Sequence, residues 1–208
     1  MAYANKRVPL ICREYIDDMF AYRTFLICIP ISVDNPYNKE DRFYYRTYVK
    51  YSFLLHPYDP IDVVKDSIGT VNIFTDIHQN PFIATFLIHD GKNSIETTRE
   101  NMQLCLTTLY NRFVNKDFVL SNIYTIVFPI QIGSNDLKLW IQEILPLLVT
   151  FTNKMECIPR VRVCIAAHET VYNFLKDMQG NLDKTIFDGK ISKCLHFITS
   201  LEQLKTFE

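Results

Sequence analysis

Three absences narrow what this 208-residue chain can be. No apolar run approaches the roughly 18 residues that cross a bilayer, and the first residues, MAYANKRVPL, lack the long apolar segment of a signal peptide. Lys and Arg are not in excess, because the net charge is -1 at pH 7, and this argues against a nucleic-acid partner. We therefore expect a cytoplasmic protein that does not contact membranes, although the sequence does not separate the cytoplasm from the nucleus.

Cysteine motifs are missing as well. No two cysteines form a CxxC pair, and the spacings of Cys164 to His168 and of Cys194 to His196 match no zinc finger or knuckle. The chain is long enough to build a core without covalent staples, so we expect reduced core thiols, no metal site and no cofactor. The six cysteines are Cys12, Cys28, Cys105, Cys157, Cys164 and Cys194.

The composition that is present indicates one folded domain over residues 1–208, since 48% of the residues are hydrophobic and 13% are aromatic. From Val8 to Tyr22, apolar side chains recur at helical spacing, which predicts an amphipathic helix. We therefore interpret residues 1–24 as an N-terminal helical extension. Residues 168–208 are expected to add a C-terminal helix and strand.

Between these ends, apolar runs alternate with helical periodicity, which predicts a mixed, mostly parallel sheet with helices on both faces. This is a three-layer α/β/α fold. The predicted strands are Phe25–Ile31, Thr70–Phe74 and Phe82–His89 as a hairpin-like pair, Ile123–Pro129, Arg160–Ala166 and Lys193–Thr199. Three helices are predicted. The first is capped by Ser94 and has Met102, Cys105, Leu109 and Phe113 on one face. The others are Asp136–Thr150, which Pro146 should kink or shorten, and Glu169–Met178, which closes near Gly180.

The stretch from Asn122 to Trp140 carries the strongest local signal. A buried strand runs into Ile132-Gly133-Ser134, and a helix follows. Loop amides and helix N-terminal N–H groups beyond the carboxyl end of such a strand point at an anion. The pattern predicts a phosphate-binding loop.

Four short motifs in order make this chain resemble a macro domain. They are Gly69-Thr70-Val71, the strand ending in Leu87-Ile88, the helix opening with Thr98-Arg99-Glu100-Asn101, and FPIQIGS followed by Asp136 and Trp140. The resemblance covers residues 25–167. It is nearest to the small branch that removes ADP-ribose from acidic side chains or phosphate from ADP-ribose 1''-phosphate, and it implies ADP-ribose or a related nucleotide as the ligand.

The resemblance implies two loops that hold the diphosphate, and both normally depend on glycine, which lets backbone amides approach the ligand closely. The first loop falls on NPYNKED, which contains no glycine. There the resemblance carries over only Asp34, as the acidic group that contacts adenine. It also implies a helix from Asp41 to Phe53, although Phe43 to Leu55 fits strand alternation as well as helical spacing.

The second loop keeps Gly133 and Ser134, while Asn135 replaces the second glycine and the loop is one residue shorter. Asn tolerates the left-handed backbone conformation, so Ile132, Gly133, Ser134 and Asn135 are the candidate ligand-binding residues. Asp136 matches the acidic residue of the family, and it could equally cap the following helix.

The family's catalytic lysine would fall at Asp90, which cannot form a lysine adduct, and Lys92 lies two residues further on. His89 with Asp90 or Asp136 could form an acid/base pair, but a lone His at a strand end is more often structural. Asp136 and His89 are therefore the catalytic candidates. The sequence leaves open whether the chain is an enzyme, and Asp90 at the lysine position and the missing first glycine-rich loop argue against it. Ser134 and Cys164 have no identifiable base that would make either a nucleophile.

Three hypotheses follow. The first is a divergent macro-domain-like binding or interaction module, a pseudoenzyme whose recognition of ADP-ribose or a related nucleotide is weakened or lost, with a protein partner if it is lost. The second is an ADP-ribosyl or ADP-ribose-phosphate hydrolase. The third is a structural or partner-binding protein without a nucleotide ligand, and the Asn, Ile, Tyr and Lys usage fits a virus or another AT-rich genome.

Overall fold

The computed structural model describes residues 7–13, 19, 22, 24–32, 68–74, 82–89, 95–130, 137–187 and 195–199. These residues contain a seven-stranded sheet. Its strands are β1 Leu10–Arg13, β2 Phe25–Ser32, β3 Val71–Phe74, β4 Phe82–His89, β5 Thr125–Pro129, β6 Arg162–Ala167 and β7 His196–Phe197.

The spatial order of the strands is β3-β4-β2-β5-β6-β1-β7. The pairings of β2 with β4 and β5, of β5 with β6, and of β1 with β6 and β7 are parallel, whereas β3 and β4 are antiparallel. The predicted mixed, mostly parallel sheet is therefore confirmed, and so is the antiparallel pair.

Both faces of the sheet are buried, as its near-continuous apolar strands predict. In β2, Leu26 and Cys28 pack into one hydrophobic cluster, while Ile27 and Ile29 pack into a second cluster. All four side chains are fully buried. Successive strand residues point to opposite faces, so one short run of sequence supplies both clusters.

The helices are α1 Ile95–Val114, a short α2 Leu137–Leu139, α3 Leu145–Lys154, α4 Glu169–Asp177 and α5 Gln179–Phe187. A π-helical turn, Trp140–Ile144, joins α2 to α3, and 3-10 turns occupy Phe118–Leu120 and Met155–Cys157. The predicted face of α1 is confirmed, because Met102, Cys105, Leu109 and Phe113 are all buried.

Pro146 lies in the first turn of α3, immediately after the π-helical turn. Proline has no N–H to donate to the preceding turn, so it fits where a regular helix starts afresh. Pro146 does not shorten this helix, which runs on to Lys154, and the predicted kink stays a prediction.

Two predictions near the ends of the chain are wrong. Leu10–Arg13 is a strand between β6 and β7, not part of a helix from Val8 to Tyr22. Ile11 and Cys12 are both buried, and a strand buried on both faces carries no alternation to separate it from a helix. Gly180 does not close a helix either, because it lies in α5, and the chain turns at Met178 instead.

Among the described residues, no helix combines the length and the apolar character that a membrane span requires.

Candidate functional site

The carboxyl ends of three neighbouring parallel strands, β4, β2 and β5, meet at one edge of the sheet. The chain leaves β2 toward β3 and β4 on one side, and it leaves β5 toward β6 on the other side. In open α/β sheets, ligands bind in the crevice where successive connections part in this way. The topology therefore places a candidate site, the β2/β5 crevice, between the ends of β2 and β5.

Both predicted ligand-binding segments begin at the β2/β5 crevice. Asp34 follows two residues after Ser32, the last residue of β2. Ile130 extends β5 by one residue, because its N–H donates to the Ala166 carbonyl at 2.8 Å, and the predicted phosphate loop follows directly. The predicted residues themselves lie outside the described part of the chain: Asp34, Ile132, Gly133, Ser134, Asn135 and Asp136.

The backbone of His89 lies at the same edge. His89 is the last residue of β4 and pairs with Ser32 across a register shift at the end of β2. Its side chain, together with Asp90 and Lys92, is outside the described residues. Proximity of His89 to the crevice therefore follows from the sheet register, while the predicted acid/base pair stays a prediction.

Asn101 supports this edge from the first turns of α1. Its side-chain Nδ2 donates to the Ile88 carbonyl at 3.0 Å, and the residue is almost fully buried. A buried amide that satisfies a strand-end carbonyl fixes the position of helix and strand together. In the sequence, Asn101 stands out only as the last residue of the Thr98-Arg99-Glu100-Asn101 motif. The signal of its structural role is a polar residue on the buried face of an amphipathic helix.

An ion pair joins α1, which follows β4, to the π-helical turn that comes after the Ile132 to Asp136 loop. Arg99 Nε in α1 lies 3.4 Å from Glu143 Oε2 in the π-helical turn. Both side chains are partly exposed, so we expect the pair to add little stability by itself. The sequence does not indicate this contact, because the two residues are far apart along the chain and neither periodicity nor spacing connects them.

Two motifs of the resemblance have structural roles. Gly69 has a φ of +83°, and its N–H donates to the Leu87 carbonyl at 2.7 Å, so it turns the chain into β3 beside β4. Trp140 is buried in the larger hydrophobic cluster and anchors the π-helical turn.

The buried thiols do not have the environment of a nucleophile. A hydrogen bond with Cys12 and burial raise the pKa of the Cys164 thiol, and the two sulfur atoms are 3.2 Å apart. Burial raises the pKa of Cys28 and brings that of Cys105 to about 12. Thiols of this kind carry little thiolate, so the rejection of Cys164 as a nucleophile is supported.

Cys157 differs from the other described cysteines because it is exposed, so the prediction that it is a core thiol is wrong. His168 is also exposed, and it caps α4 by accepting a hydrogen bond from Thr170 N–H at 3.4 Å. Within the described ranges, no cluster of His, Cys, Asp and Glu has the makings of a metal site.

No family model matches the sequence, and no curated protein matches it. Solved structures do match. The chain is similar to the macrodomain of Mycobacterium tuberculosis DarG, with a TM-score of 0.52 and 14% identity over 76% of this chain and 97% of that one. It is also similar to a variant Oceanobacillus iheyensis macrodomain, with a TM-score of 0.60 and 14% identity over 86% and 95% of the two chains.

A macrodomain protein from Streptomyces coelicolor gives a TM-score of 0.53 and 13% identity over 78% of this chain and 99% of that one. At these identities the similarity establishes a shared fold and nothing finer.

Proposed function

We propose that this chain, which has a divergent macrodomain fold, is a binding module that recognises ADP-ribose or a related nucleotide with weakened affinity at the β2/β5 crevice. The observation that carries the proposal is the strand order. In that order β2 ends at Ser32, two residues before Asp34, and β5 lies beside β2 and is extended by Ile130, two residues before Ile132, which supports a site between the two strand ends. A diphosphate between two such segments could accept hydrogen bonds from backbone amides of both.

Weakened affinity follows from the glycine content of the two loops. Residues 35–41 contain no glycine, and Asn135 stands where a second glycine is expected after Gly133. A side chain at such a position restricts the backbone angles and occupies the space that a diphosphate needs. We therefore propose that the second loop supplies most of the phosphate contacts, with Asp34 contacting the base.

Binding without turnover is the form of the proposal that the residues favour. Asp90 occupies the position of the family's lysine, and the remaining acid/base candidates are His89 and Asp136. If His89 and Asp136 do act together, the protein is instead a hydrolase of ADP-ribose esters or phosphates, and Asp136→Ala abolishes its turnover.

The direct test is isothermal titration of the purified full chain with ADP-ribose. We expect saturable heat with the native protein and an affinity at least about tenfold lower for Gly133→Val, which corresponds to ~1.4 kcal/mol. Gly180→Val is the matched control, because Gly180 lies in α5 and a Cβ there meets nothing within 4 Å. Its affinity should equal that of the native protein.

Equal heats from the native protein and Gly133→Val would contradict a phosphate loop at Gly133. No heat from any of the three folded proteins would contradict nucleotide recognition and would favour a scaffold that binds a protein partner. Release of free ADP-ribose from an ester substrate, lost in Asp136→Ala, would replace the binding module with the hydrolase.

A further inference from the structure

An open cleft of about 600 Å³ lies at the edge of the sheet opposite the β2/β5 crevice. Its lining includes Leu120 and Ser121, shortly before β5 begins, and Pro159 and Arg160, shortly before β6 begins. These residues stand at the amino ends of the strands, whereas the β2/β5 crevice stands at the carboxyl ends. We call this feature the amino-edge cleft.

The lining of the amino-edge cleft is apolar along the end of α1 and the turns that follow it. Phe113 and Leu120 are buried, Ile158 is half-buried, and Val114 is 45% exposed. Phe118, in the same 3-10 turn as Leu120, is 89% exposed. An apolar surface of this kind, open to solvent, is typical of a site that receives an apolar side chain of a partner.

Two cations, Lys116 and Arg160, also line the amino-edge cleft, and both are exposed. Asp117 is the acidic residue of the lining, and its carboxylate is engaged: Arg112 Nε lies 2.7 Å from its Oδ2, and Val119 N–H donates to its Oδ1 at 3.0 Å. In the described part of the chain, neither Lys116 nor Arg160 has a carboxylate within ion-pair distance.

More positive charge stands behind the Pro159 wall. The Arg7 guanidinium donates to the carbonyls of Pro159 at 2.7 Å and Val161 at 3.1 Å. Burial lowers the pKa of Arg162, and the nearby charge of Arg7 lowers it further. Glu156 is a neighbouring carboxylate, and it accepts a hydrogen bond from the Arg7 backbone N–H at 2.7 Å. The cations around the cleft outnumber these two carboxylates, so the surface is complementary to an acidic partner.

We propose that the amino-edge cleft binds an acidic peptide segment of a partner protein, with one apolar side chain seated on Val114 and Phe113 and flanking carboxylates paired with Lys116 and Arg160. Charge complementarity selects an acidic occupant, and the apolar lining selects a peptide over a nucleic acid. A nucleic acid would gain its affinity from many phosphate contacts, and two lining cations supply few of them.

The experiment uses the full chain and an array of hexapeptides that carry a central Leu, Ile, Phe or Trp between Glu residues. A second array replaces every Glu with Gln. The cleft variant is the double substitution Lys116→Glu with Arg160→Glu. Its matched control is Lys176→Glu with Lys184→Glu, which makes the same change in net charge at exposed helix positions elsewhere.

We expect the native protein and the control variant to bind the acidic peptides, with affinity that falls as salt rises. The cleft variant should bind at least about tenfold more weakly, and the Gln array should not bind. Gly133→Val should bind the acidic peptides as the native protein does, so this result does not depend on the nucleotide proposal.

Three results would overturn the peptide proposal: no binding to either array, equal binding by the cleft variant, or binding to a single-stranded oligonucleotide that the cleft variant loses while the peptides stay unbound. Thermal unfolding of each variant shows whether it is folded. If the double variant does not fold, Val114→Glu replaces it, because Val114 is 45% exposed at the last position of α1 and its substitution places a carboxylate in the cleft.

Discussion

Asn101 in α1 donates a hydrogen bond from its side-chain Nδ2 to the backbone carbonyl of Ile88, at 3.0 Å, one residue before β4 ends at His89. This contact ties the helix to the edge of the sheet from which the β2/β5 crevice is built. Because Asn101 is almost fully buried, water does not readily replace its amide at the carbonyl.

Asn101→Leu keeps the branching and the number of heavy atoms of the side chain but removes the donor. We expect the free energy of unfolding to fall by about 1 to 3 kcal/mol, the cost of an unsatisfied buried carbonyl. Urea denaturation measures this change. The matched control is Asn111→Leu, an exposed position of the same helix, where we expect a change within about 0.5 kcal/mol. Equal effects at both positions would show that the Asn101 contact has no special role.

Gly69 and Gly180 should respond to alanine with opposite signs. Gly69 has a φ of +83°, and an added Cβ would lie 3.1 Å from Leu104 Cδ1 and 3.2 Å from its Cβ, so Gly69→Ala should destabilise the fold by about 1 to 2 kcal/mol. Gly180 is helical and its added Cβ meets nothing within 4 Å, so Gly180→Ala should stabilise by up to about 1 kcal/mol. Chemical denaturation of both variants checks the two signs, and a neutral Gly69→Ala would contradict the strained turn.

Asp117 should make stability depend on pH. Burial alone would raise the pKa of its carboxyl, but the hydrogen bonds from Arg112 and Val119 and the charge of Arg112 together hold that pKa below its ordinary value. The carboxylate therefore contributes fully to the stability of the folded protein above its unfolded-state pKa, near 4. This contribution is lost as the pH falls through the lower folded-state pKa.

Asp117→Asn should lower the free energy of unfolding by about 0.5 to 1 kcal/mol at pH 7, and by less at a pH below the folded-state pKa of Asp117. The substitution removes the charge but keeps an oxygen that can accept the hydrogen bond from Val119 N–H. Asp117→Ala should cost more at both pH values because the cap is lost too. Thermal or urea unfolding at several pH values separates the two variants. A cost for Asp117→Asn that does not change with pH would show that the ion pair is not its source.

The cysteines should separate into one reactive thiol and four protected ones among those described. Cys157 is exposed, whereas Cys12, Cys28, Cys105 and Cys164 are buried. With a pKa of about 12, Cys105 carries about a thousandfold less thiolate than an ordinary cysteine. Maleimide labelling followed by peptide mass mapping should find Cys157 modified first and the buried four only in denaturant. Early modification of Cys28 or Cys164 would contradict the packing of the core.

The central strands could be predicted from the sequence because they are apolar runs of strand length. Phe82–His89 has the predicted bounds, and β2 exceeds its predicted end by one residue. The first strand, β1, could not be predicted, because the spacing of Val8 and Ile11 also fits a helix. The strands that pair with β1, which are β6 and β7, lie at the far end of the chain. Tertiary pairing over such a distance leaves no local signal.

The candidate site was predictable in part. An apolar strand running into Gly133 predicts where a phosphate loop begins, and the strand order agrees with that position. The Asn101 to Ile88 contact and the Arg99 to Glu143 pair depend on how α1 packs, which no short motif encodes. The roles of the predicted loop residues, from Ile132 to Asp136, stay predictions because these residues lie outside the described part of the chain.

The most direct test of nucleotide recognition at the β2/β5 crevice is an amide chemical-shift titration of the full chain with ADP-ribose. We expect saturable shifts concentrated at His89, Ile130 and residues 131–136, with none at Lys116 or Arg160. Shifts concentrated at Lys116, Ser121 and Arg160, or no shifts at millimolar ligand from a well-folded sample, would contradict it.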